Sequence, residues 1–576
     1  MLSTIREIGK WQRDKYSKDE LDTLIHEPFR SGGKIFFIKV DIDTNDFVDV
    51  ELEDYDSSRK MKYIFRKGPS NGPNPTPAAI ITEVRKTFEN KIQKWFIKYG
   101  AEEKNEFLGK IRDILNANKD SIIKSIQKHI KNLNKKDGKL LTIKIKQDNE
   151  WKYIGELDIF KESLRRIESQ KTGKISVNNK VCSICGMQKV LVSGDVNVFK
   201  FYTIDKLGFI TGGFDKNLAW KNFPVCPECK LELEEGKKFL DAKLNFKFYG
   251  LNYYLIPKLL IGDKVLLEEI LNIMSDTLKT INLKERIKKR ITNDENEILE
   301  YLSEKKDILT LNFLFLRKDQ GAERILLMIE DVFPSRIRKI FAIKDQVDKL
   351  FNEEFNFGKI RTFFSKSDEN KRDSDLNKYF LEIVDSVFKG KQLDFAFLLK
   401  FYMAVIRKEF INDGYFTFRV KDALMNTVFF ENLGLITFEE VKMEESIFND
   451  IFIRYGKSFA NPAKRGIFLL GALTQLLLNK QWAERNAKPF MKKLKGLKMD
   501  ERDIKALLPE VQNKLEEYDS FDLGKRLIAS EASKYLIEAG ERWNMSVDEI
   551  NFYFACGMNL SDSIAGIAYH KFKKEE

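Results

Sequence analysis

Two pairs of cysteines are the residues of this chain whose type and spacing most clearly predict chemistry. The sequence CSIC occupies 182–185 and the sequence CPEC occupies 226–229, with the 40 residues 186–225 between them. Each CxxC turn supplies two thiolates, and Zn²⁺ prefers four such ligands in a tetrahedron, at about 2.3 Å. The glycine after the first pair suits a tight turn whose N–H groups point at sulfur. We therefore predict a Zn²⁺ site with the ligands Cys182, Cys185, Cys226 and Cys229.

The predicted site is structural, because four cysteine ligands leave no coordination position open for water. Two alternatives remain open at this point. A thioredoxin-like redox site needs only one CxxC pair at the start of a helix and leaves the second pair unexplained. The thiols could also be unliganded. The fifth cysteine, Cys556, lies in the apolar run INFYFACGM and is typical of a small buried side chain.

The other common signatures of catalysis are missing from the sequence. It has no GxxxxGK[ST] loop for a nucleotide phosphate, no His-Asp doublet and no HExxH pair for a catalytic metal. The three histidines, His26, His129 and His570, are far apart and are expected to be surface or packing residues. Carboxylate pairs carry no signal in a chain with 88 acidic residues. We expect a protein that is not an enzyme.

The charge balance favours a polyanionic partner. Basic residues outnumber acidic ones by 100 to 88, for a net charge of +12. The segment 443–498 has 11 Lys and Arg against 4 Asp and Glu, a local net charge of +7. Such a segment indicates either an anion-binding face or a solvated helix surface.

The sequence predicts a cytoplasmic protein without a membrane anchor. Its start, MLSTIREIGK, has a charged residue within the first six positions and no apolar signal region. The apolar run 466–479 has 14 residues, fewer than the roughly 20 that a spanning helix needs. In a reducing cytoplasm, closely spaced cysteines usually bind metal or take part in catalysis rather than form structural disulfides.

The elements that must position these residues form a mixed pattern. Three β-rich runs at 34–66 predict a small sheet, and the Pro- and Gly-rich segment 67–80 predicts a long exposed loop, either a linker or a ligand-facing loop. Helical spacing follows over 79–134, and then a strand pair. Later segments predict a β-hairpin across KDQGA, a polar break at 365–375 and only helices from about 376.

The predicted fold class is α+β with several domains. It combines a mixed α/β N-terminal region, a four-cysteine zinc module, a mixed central region and an all-α C-terminal bundle. The predicted boundaries are 1–165, 166–250, 251–375 and 376–576.

Several stretches carry a family resemblance. The segment 199–259 with the CSIC pair, the loop sequence NGPNPTPAAIITEVRKTF at 71–88, IEDVFPSRIRKIF at 329–341, GIFLLGALTQLLL at 466–478 and the segment 489–518 are spread over most of the chain. Together they resemble the TM-type or Csh-type large subunit of type I-B CRISPR Cascade complexes, the eighth Cas protein family, subtype b. The cysteine module is the most specific part of this resemblance.

The resemblance implies a non-catalytic subunit of an RNA-guided DNA surveillance complex. Such a subunit reads the short flanking motif (PAM) on target double-stranded DNA and helps hold the opened strands of the R-loop. The implied partners are the guide RNA, the target DNA, the backbone, handle-binding and small Cascade subunits, and a separate helicase-nuclease that the subunit helps recruit. The last part of segment 376–576 resembles the small subunit of such complexes, and an internal start at Met425 or Met443 could also yield that subunit separately.

Two sets of residues are candidates for nucleic-acid contacts. Asn and Thr side chains can bond base edges, and glycine lets the backbone approach a groove. Basic side chains bind phosphates without reading sequence. The candidate motif-reading residues are Lys67, Asn71, Gly72, Asn74 and Thr76. The candidate phosphate-binding residues are Lys464, Arg465, Lys492, Lys493, Lys495 and Lys498.

Two alternative functions also fit a four-cysteine site. The first is a type III CRISPR large subunit, whose nucleotide-cyclising palm needs a GGDD turn. The nearest sequence here is TGGFD at 211–215, in which Phe214 breaks the acidic pair, so an active palm is not expected. The second is a zinc-ribbon protein of transcription or RNA processing that binds nucleic acid through generic phosphate contacts.

Overall fold

The computed structural model describes residues 1–16, 20–29, 32–69, 71–100, 106–131, 133–134, 137–173, 176–194, 196–201, 215–249, 251–260, 264–275, 309–319, 322–368, 370–371, 374–439 and 446–572. These residues form two compact units. The first unit comprises 1–244 with 318–324, and the second comprises 245–317 with 325–576. The four-part division made from the sequence stays a prediction. The TGGFD residues 211–214 and Met443 lie outside the described residues.

A five-stranded sheet is the centre of the first unit. Its strands are β1 Lys34–Asp41, β2 Asp46–Asp54, β3 Ala79–Ile80, β4 Lys139–Gln147 and β5 Glu150–Tyr153. The order is β2-β1-β4-β3, and β5 pairs with β4. Strands β1 and β4 run parallel, and the other pairs are antiparallel. Most of β1 is buried, as expected for an almost uninterrupted apolar strand at the centre of a sheet.

Helices cover this sheet through apolar stripes at helical spacing. Ile111, Ile114 and Leu115 on one helix and Ile122 and Ile126 on the next are all buried in its core. The helices of the first unit are α1 Leu2–Lys15, α2 Glu20–Leu24, α3 Lys60–Tyr63, α4 Val84–Thr87, α5 Glu106–Ala117, α6 Lys119–Lys131, α7 Asp158–Gly173 and α8 Pro227–Lys243, with π-helical segments at Phe88–Gln93 and Phe96–Gly100.

The sequence-based prediction of a third strand at 61–67 is wrong. The chain instead forms a helical turn at Ser57–Arg59 that continues into α3. The Asp56 carboxylate accepts a hydrogen bond from the Ser58 N–H at 2.9 Å, which caps this turn and starts a helix rather than a strand. Tyr63 then packs into an aromatic cluster with Phe37 and Tyr153.

The cysteine region contributes a two-stranded hairpin to the first unit. Strand β6 covers Ser176–Val181 and strand β7 covers Gln188–Ser193. They pair antiparallel, with Val181 opposite Gln188, so that the first cysteine pair lies in the connecting loop. Residues 215–226 then lead into α8.

A four-stranded sheet and a helical bundle make up the second unit. The strands are β8 Asn245–Phe248, β9 Leu251–Leu259, β10 Leu309–Asp319 and β11 Ala322–Val332, in the order β11-β10-β9-β8. The predicted pairing of β10 with β11 is confirmed. The described regular structure after residue 376 is entirely helical, so the all-α C-terminal prediction and the α+β class are also confirmed.

The longest helix of the second unit, Pro462–Arg485, is buried around much of its circumference. Its glycines, Gly466 and Gly471, let neighbouring helices approach closely. A Cβ at Gly471 would lie 2.1 Å from the carbonyl oxygen of Phe554 in the helix Val547–Asn559. Among the described helices, none is long and apolar enough to cross a membrane. The helices are α9 Lys264–Ser275, α10 Pro334–Phe351, α11 Phe357–Arg361, α12 Asn377–Lys389, α13 Phe395–Ile411, α14 Phe416–Asn432, α15 Asn449–Arg454, α16 Pro462–Arg485, α17 Glu501–Glu517, α18 Leu523–Glu538, α19 Val547–Asn559 and α20 Ser561–Phe572.

Candidate metal centre and nucleic-acid surfaces

The four cysteines of the two CxxC pairs form one cluster. Their sulfur atoms all lie within 4.8 Å of one another, and none of the four forms a disulfide. Four thiolates at about 2.3 Å from a tetrahedral metal ion would lie about 3.8 Å apart. Cys182, Cys226 and Cys229 are buried, and Cys185 is half-buried. The arrangement therefore fits a metal ion held by four sulfur ligands.

Backbone hydrogen bonds fix the first pair at the end of the hairpin. The Cys182 N–H donates to the Met187 carbonyl at 3.0 Å, and the Gly186 N–H donates back to the Cys182 carbonyl at 2.9 Å. Gly186 has a φ of 68°, in the left-handed region that glycine adopts without strain. The predicted role of this glycine in a tight turn is confirmed.

The second pair begins a helix. Cys226 is the N-cap of α8, Pro227 occupies its first position and Cys229 lies in its first turn. The Cys226 N–H points at the Cys182 sulfur, with 3.4 Å between nitrogen and sulfur. A pair of hydrogen bonds between Val225 and Ser193 joins this segment to β7. These contacts bring the two cysteine pairs together, although 40 residues separate them in the sequence.

The electrostatics of the thiols favour a bound cation. Burial alone would raise the pKa of Cys182, but the N–H groups of Cys185, Cys226 and Ile184 lower the pKa to about 7. Burial raises the pKa of Cys226 and Cys229, and nearby thiolates add to this effect. Four thiolates so close together, three of them buried, repel one another, and a divalent cation removes that repulsion.

A cation from α1 lies next to the cluster. The Arg6 Nε donates to the buried Glu232 carboxylate at 2.6 Å. Burial alone would lower the pKa of Arg6, but Glu232 and the charges of Cys229 and Cys185 outweigh this effect and raise the pKa above its ordinary value. The guanidinium therefore stays charged beside the sulfur atoms. Sequence reasoning missed this residue. Glu232 lies one helical turn after Cys229, which is a usable signal, but no local pattern connects Arg6 to the cysteines.

Two glycines let α1 lie directly on the metal-site helix. A Cβ at Gly9 would lie 1.7 Å from the Glu232 carbonyl oxygen, and a Cβ at Gly236 would lie 2.0 Å from the Ile5 carbonyl oxygen. The two backbones therefore touch where they cross. Trp11 and Phe239 pack edge to face beside this crossing, with ring centroids 5.6 Å apart.

The predicted motif-reading loop at 67–80 is only partly exposed, so the expectation of a wholly exposed loop is wrong. Lys67, Asn71 and half-buried Gly72 lie in its accessible first part. Asn74 is buried and bonds within the loop, accepting from the Gly68 N–H at 3.1 Å and donating to the Ala78 carbonyl at 2.7 Å. Thr76 is fully buried. Asn74 and Thr76 are thus packing residues in this conformation.

Side chains from the core hold this loop in place. The Lys91 ammonium donates to the carbonyls of Pro69 and Gly72, both at 2.7 Å, and the Trp95 Nε1 donates to the Pro75 carbonyl at 3.0 Å. The buried Arg66, just before the loop, bonds Glu168 of α7 and Glu234 of α8. The helix that carries Cys229 therefore also anchors the base of the loop.

Two of the six predicted phosphate-binding residues, Lys464 and Arg465, are held inside the helical bundle by protein partners. Arg465 is 7% exposed and donates to the Phe459 carbonyl, the Asn449 Oδ1 and the Tyr535 hydroxyl. Lys464 forms an ion pair with Glu549 at 2.9 Å. Both side chains hold the start of α16 in the bundle. The Arg465 guanidinium points into the bundle and is therefore not accessible to a DNA phosphate.

The other four predicted lysines are exposed. They lie on the segment that follows α16, where Pro489–Leu494 forms a 3-10 helix. Lys493 pairs with Glu510 at 3.1 Å and Lys495 pairs with Asp503 at 2.5 Å. In the part of the chain that the structure describes, Lys492 and Lys498 have no acidic partner. Four of the six predicted phosphate-binding residues therefore lie on one exposed segment.

Comparison with known protein families identifies one family along nearly the whole chain. The models of the N-terminal, central and C-terminal domains of the CRISPR-associated protein TM1802 match residues 1–166, 179–332 and 355–572, respectively. No curated protein matches the chain. The central match includes both cysteine pairs, and the C-terminal match includes the exposed lysine segment. The chain therefore belongs to the CRISPR-associated TM1802 family.

Proposed function

We propose that this protein is the large subunit of a type I-B Cascade, an RNA-guided complex that surveys double-stranded DNA. The observation that carries the proposal is the match of all three domains of one CRISPR-associated family, in order along the chain. The subunit works in the cytoplasm with guide RNA, target DNA and the backbone, handle-binding and small Cascade subunits. It is not an enzyme, and a separate helicase-nuclease cuts the DNA that it marks.

The metal in the four-cysteine cluster is Zn²⁺, and its role is structural. Four sulfur ligands in a mostly buried, closed set suit zinc and leave no position for a reacting water. When bound, the ion joins the β6–β7 hairpin to the start of α8. Because α8 also carries Glu234, which bonds Arg66, the zinc site stabilises the base of the 67–80 loop.

The accessible part of the 67–80 loop reads the flanking motif. Asn71 and Gly72 form its tip, and Lys67 lies at its base. Gly72 has a φ of 98° and open space around its Cα, so a DNA backbone or base edge could approach closely. The buried Asn74 shapes this tip, because its amide spans from Gly68 to Ala78. Asn74 and Thr76 thus support the readout without touching DNA.

The exposed lysines after α16 bind phosphates of an opened DNA strand. Lys492 and Lys498 contribute most, since Lys493 and Lys495 already have carboxylate partners. Contacts of this kind are blind to sequence and weaken as the salt concentration rises.

Co-expression of the tagged chain with the other subunits and a guide RNA tests the proposal. The chain should co-purify with guide RNA and several Cas proteins, and the complex should bind duplex targets only when the flanking motif is present. Asn71→Ala combined with Lys67→Ala should reduce motif preference, whereas the matched change Asn45→Ala, on the turn between β1 and β2, should not. A chain that purifies without guide RNA would support the zinc-ribbon alternative instead.

The absence of catalysis has its own test. The isolated, zinc-loaded chain should neither cleave DNA nor hydrolyse ATP, and the complex should cut only when the helicase-nuclease is added. Cutting by the isolated chain would contradict this part of the proposal.

A further inference from the structure

An exposed tryptophan lies at the end of α16, beside the lysine segment. Trp482 is 52% exposed, although it follows the buried Gln481. The Lys488 ammonium lies 5.5 Å from the centroid of its indole ring. On the same end of the helix, the Arg485 guanidinium lies 4.9 Å from the ring centroid of Tyr518. We call Trp482, Arg485, Lys488, Lys492 and Lys498 the α16-end surface.

This surface carries a large excess of positive charge. Residues 480–498 contain seven Lys and Arg and one acidic residue, Glu484. Three of the basic residues have carboxylate partners: Lys480 with Glu484, Lys493 with Glu510 and Lys495 with Asp503. The remaining four belong to the α16-end surface, and none of them pairs with a carboxylate within the described ranges.

Packing holds the lysine segment against the helix that carries Trp482. The Phe490 N–H donates to the Gln481 Oε1 at 3.1 Å, and Phe490 and Leu497 are buried. The Arg407 Nε donates to the Leu497 carbonyl at 2.8 Å. The indole and Lys488 therefore lie together, and the exposed Lys492 and Lys498 follow on a backbone that these contacts hold against the bundle.

An exposed indole among unpaired cations suits a single nucleic-acid strand. Unpaired bases stack on aromatic rings, and the phosphates between them bind lysine and arginine. A duplex keeps its bases stacked inside, so stacking on the indole contributes little to the binding of duplex DNA. A protein partner that covered the indole would also have to neutralise four cations, whereas a nucleic-acid strand supplies one negative charge for each nucleotide.

We infer that Trp482 stacks on an unpaired base of single-stranded DNA while Arg485, Lys488, Lys492 and Lys498 bind its phosphates. The inference rests on the proposed function only for the source of the strand, which is the target DNA opened by guide pairing. It adds a preference for single strands that phosphate contacts alone do not give. The ring of Tyr518 contacts the Arg485 guanidinium and is not required for stacking.

Oligonucleotide binding by the full-length chain tests the inference. Trp482→Ala should weaken binding of oligothymidylate by about 5- to 100-fold and leave binding of duplex DNA within about twofold. Trp482→Phe should retain most of the affinity. Tyr415→Ala removes an aromatic ring that is more exposed than Trp482 from the same unit and serves as the control, with no effect expected.

Fluorescence and charge changes give independent readouts. The chain has six tryptophans, so the difference between wild type and Trp482→Phe isolates the signal of Trp482, which oligothymidylate should quench. Replacing Lys488, Lys492 and Lys498 by alanine should weaken single-strand and duplex binding alike and reduce the salt dependence.

Other outcomes would overturn the inference. They are unchanged oligothymidylate affinity with Trp482→Ala, an equal loss for duplex DNA, tighter binding of oligouridylate than of oligothymidylate, or loss of a protein subunit from the complex with normal DNA binding. If the complex assembles and reads its motif while Trp482→Ala has no effect, the inference fails and the proposed function stands. If Trp482 stacks on oligothymidylate but no complex with guide RNA forms, the inference stands and the proposed function fails.

Discussion

At the scale of single residues, the five cysteines fall into two chemical classes. Four of them share one cluster in the first unit, while Cys556 is fully buried in α19, where burial raises the pKa of its thiol. In the native metal-loaded protein, we expect no cysteine to react quickly with iodoacetamide. After chelation the four cluster thiols should react, and Cys556 should react only in denaturant. Mass spectrometry of the alkylated chain counts the modified sites.

Substitution of single cysteines separates the same two classes. Cys182→Ala should abolish the binding of about one zinc ion per chain, because three remaining thiolates no longer close the tetrahedral shell. Cys556→Ala, the matched control, should leave the zinc content unchanged. Atomic emission spectroscopy measures both. Full zinc content in Cys182→Ala would contradict the four-cysteine site.

A second contrast is that between two predicted phosphate-binding residues, Arg465 and Lys498. Arg465→Ala should lower the free energy of unfolding by about 2–4 kcal/mol, because it leaves a buried carbonyl and a buried tyrosine hydroxyl without their donor. Lys498→Ala removes an exposed side chain and should change stability by less than about 0.5 kcal/mol. Denaturant unfolding followed by circular dichroism compares the two. Equal stabilities would show that Arg465 is not a packing residue.

At the scale of elements, the crossing of α1 and α8 depends on glycine. Gly236→Ala should lower the melting temperature and release α1 to proteases, because the new methyl group would lie 2.0 Å from the backbone oxygen of Ile5. Gly109→Ala is the control, since no atom lies within 4 Å of a Cβ on this helical glycine of α5. It should be neutral or stabilise by about 0.5–1 kcal/mol. Thermal unfolding and limited proteolysis of both variants provide the measurement.

The 67–80 loop is held in shape by its own buried amide. Asn74→Ala should destabilise the first unit by about 1–3 kcal/mol, because the part-buried Gly68 N–H and the buried Ala78 carbonyl lose their partner. Asn71→Ala, at the exposed tip, should leave stability unchanged. Denaturant unfolding distinguishes the variants, and proteolytic cleavage within the loop should accelerate only in Asn74→Ala. Equal behaviour of both variants would contradict the packed description of the loop.

At the scale of the whole molecule, the four cluster cysteines, which are the proposed zinc ligands, belong to one unit alone. Removing zinc should therefore increase hydrogen exchange in the β6–β7 hairpin, in α8 and in α1, which lies on α8. The base of the 67–80 loop should follow, because Glu234 of α8 bonds Arg66. The helices from α12 to α20 should keep their protection. Exchange measured by mass spectrometry before and after chelation tests this, and a uniform increase over the chain would contradict it.

The sequence alone determined the features that depend on local pattern. Two CxxC pairs specify four soft ligands whatever the fold around them, because the ligand atoms and the turn are encoded within a few residues. Apolar runs such as 35–38 in β1, and the helical spacing of α5 and α6, predicted their elements for the same reason. The family resemblance was found at this level, and the matches of the three domains confirm membership in a CRISPR-associated family.

Only the tertiary structure decided which polar residues are accessible. Arg465 and Lys492 contribute the same charge to the sequence, yet one is enclosed by Asn449, Phe459 and Tyr535 and the other is exposed. Asn71 and Asn74 differ in the same way within one loop. Arg6 reaches the cysteine cluster because two glycines bring distant helices together. Burial and long-range contact depend on the packing of segments far apart in the chain, which no local pattern records.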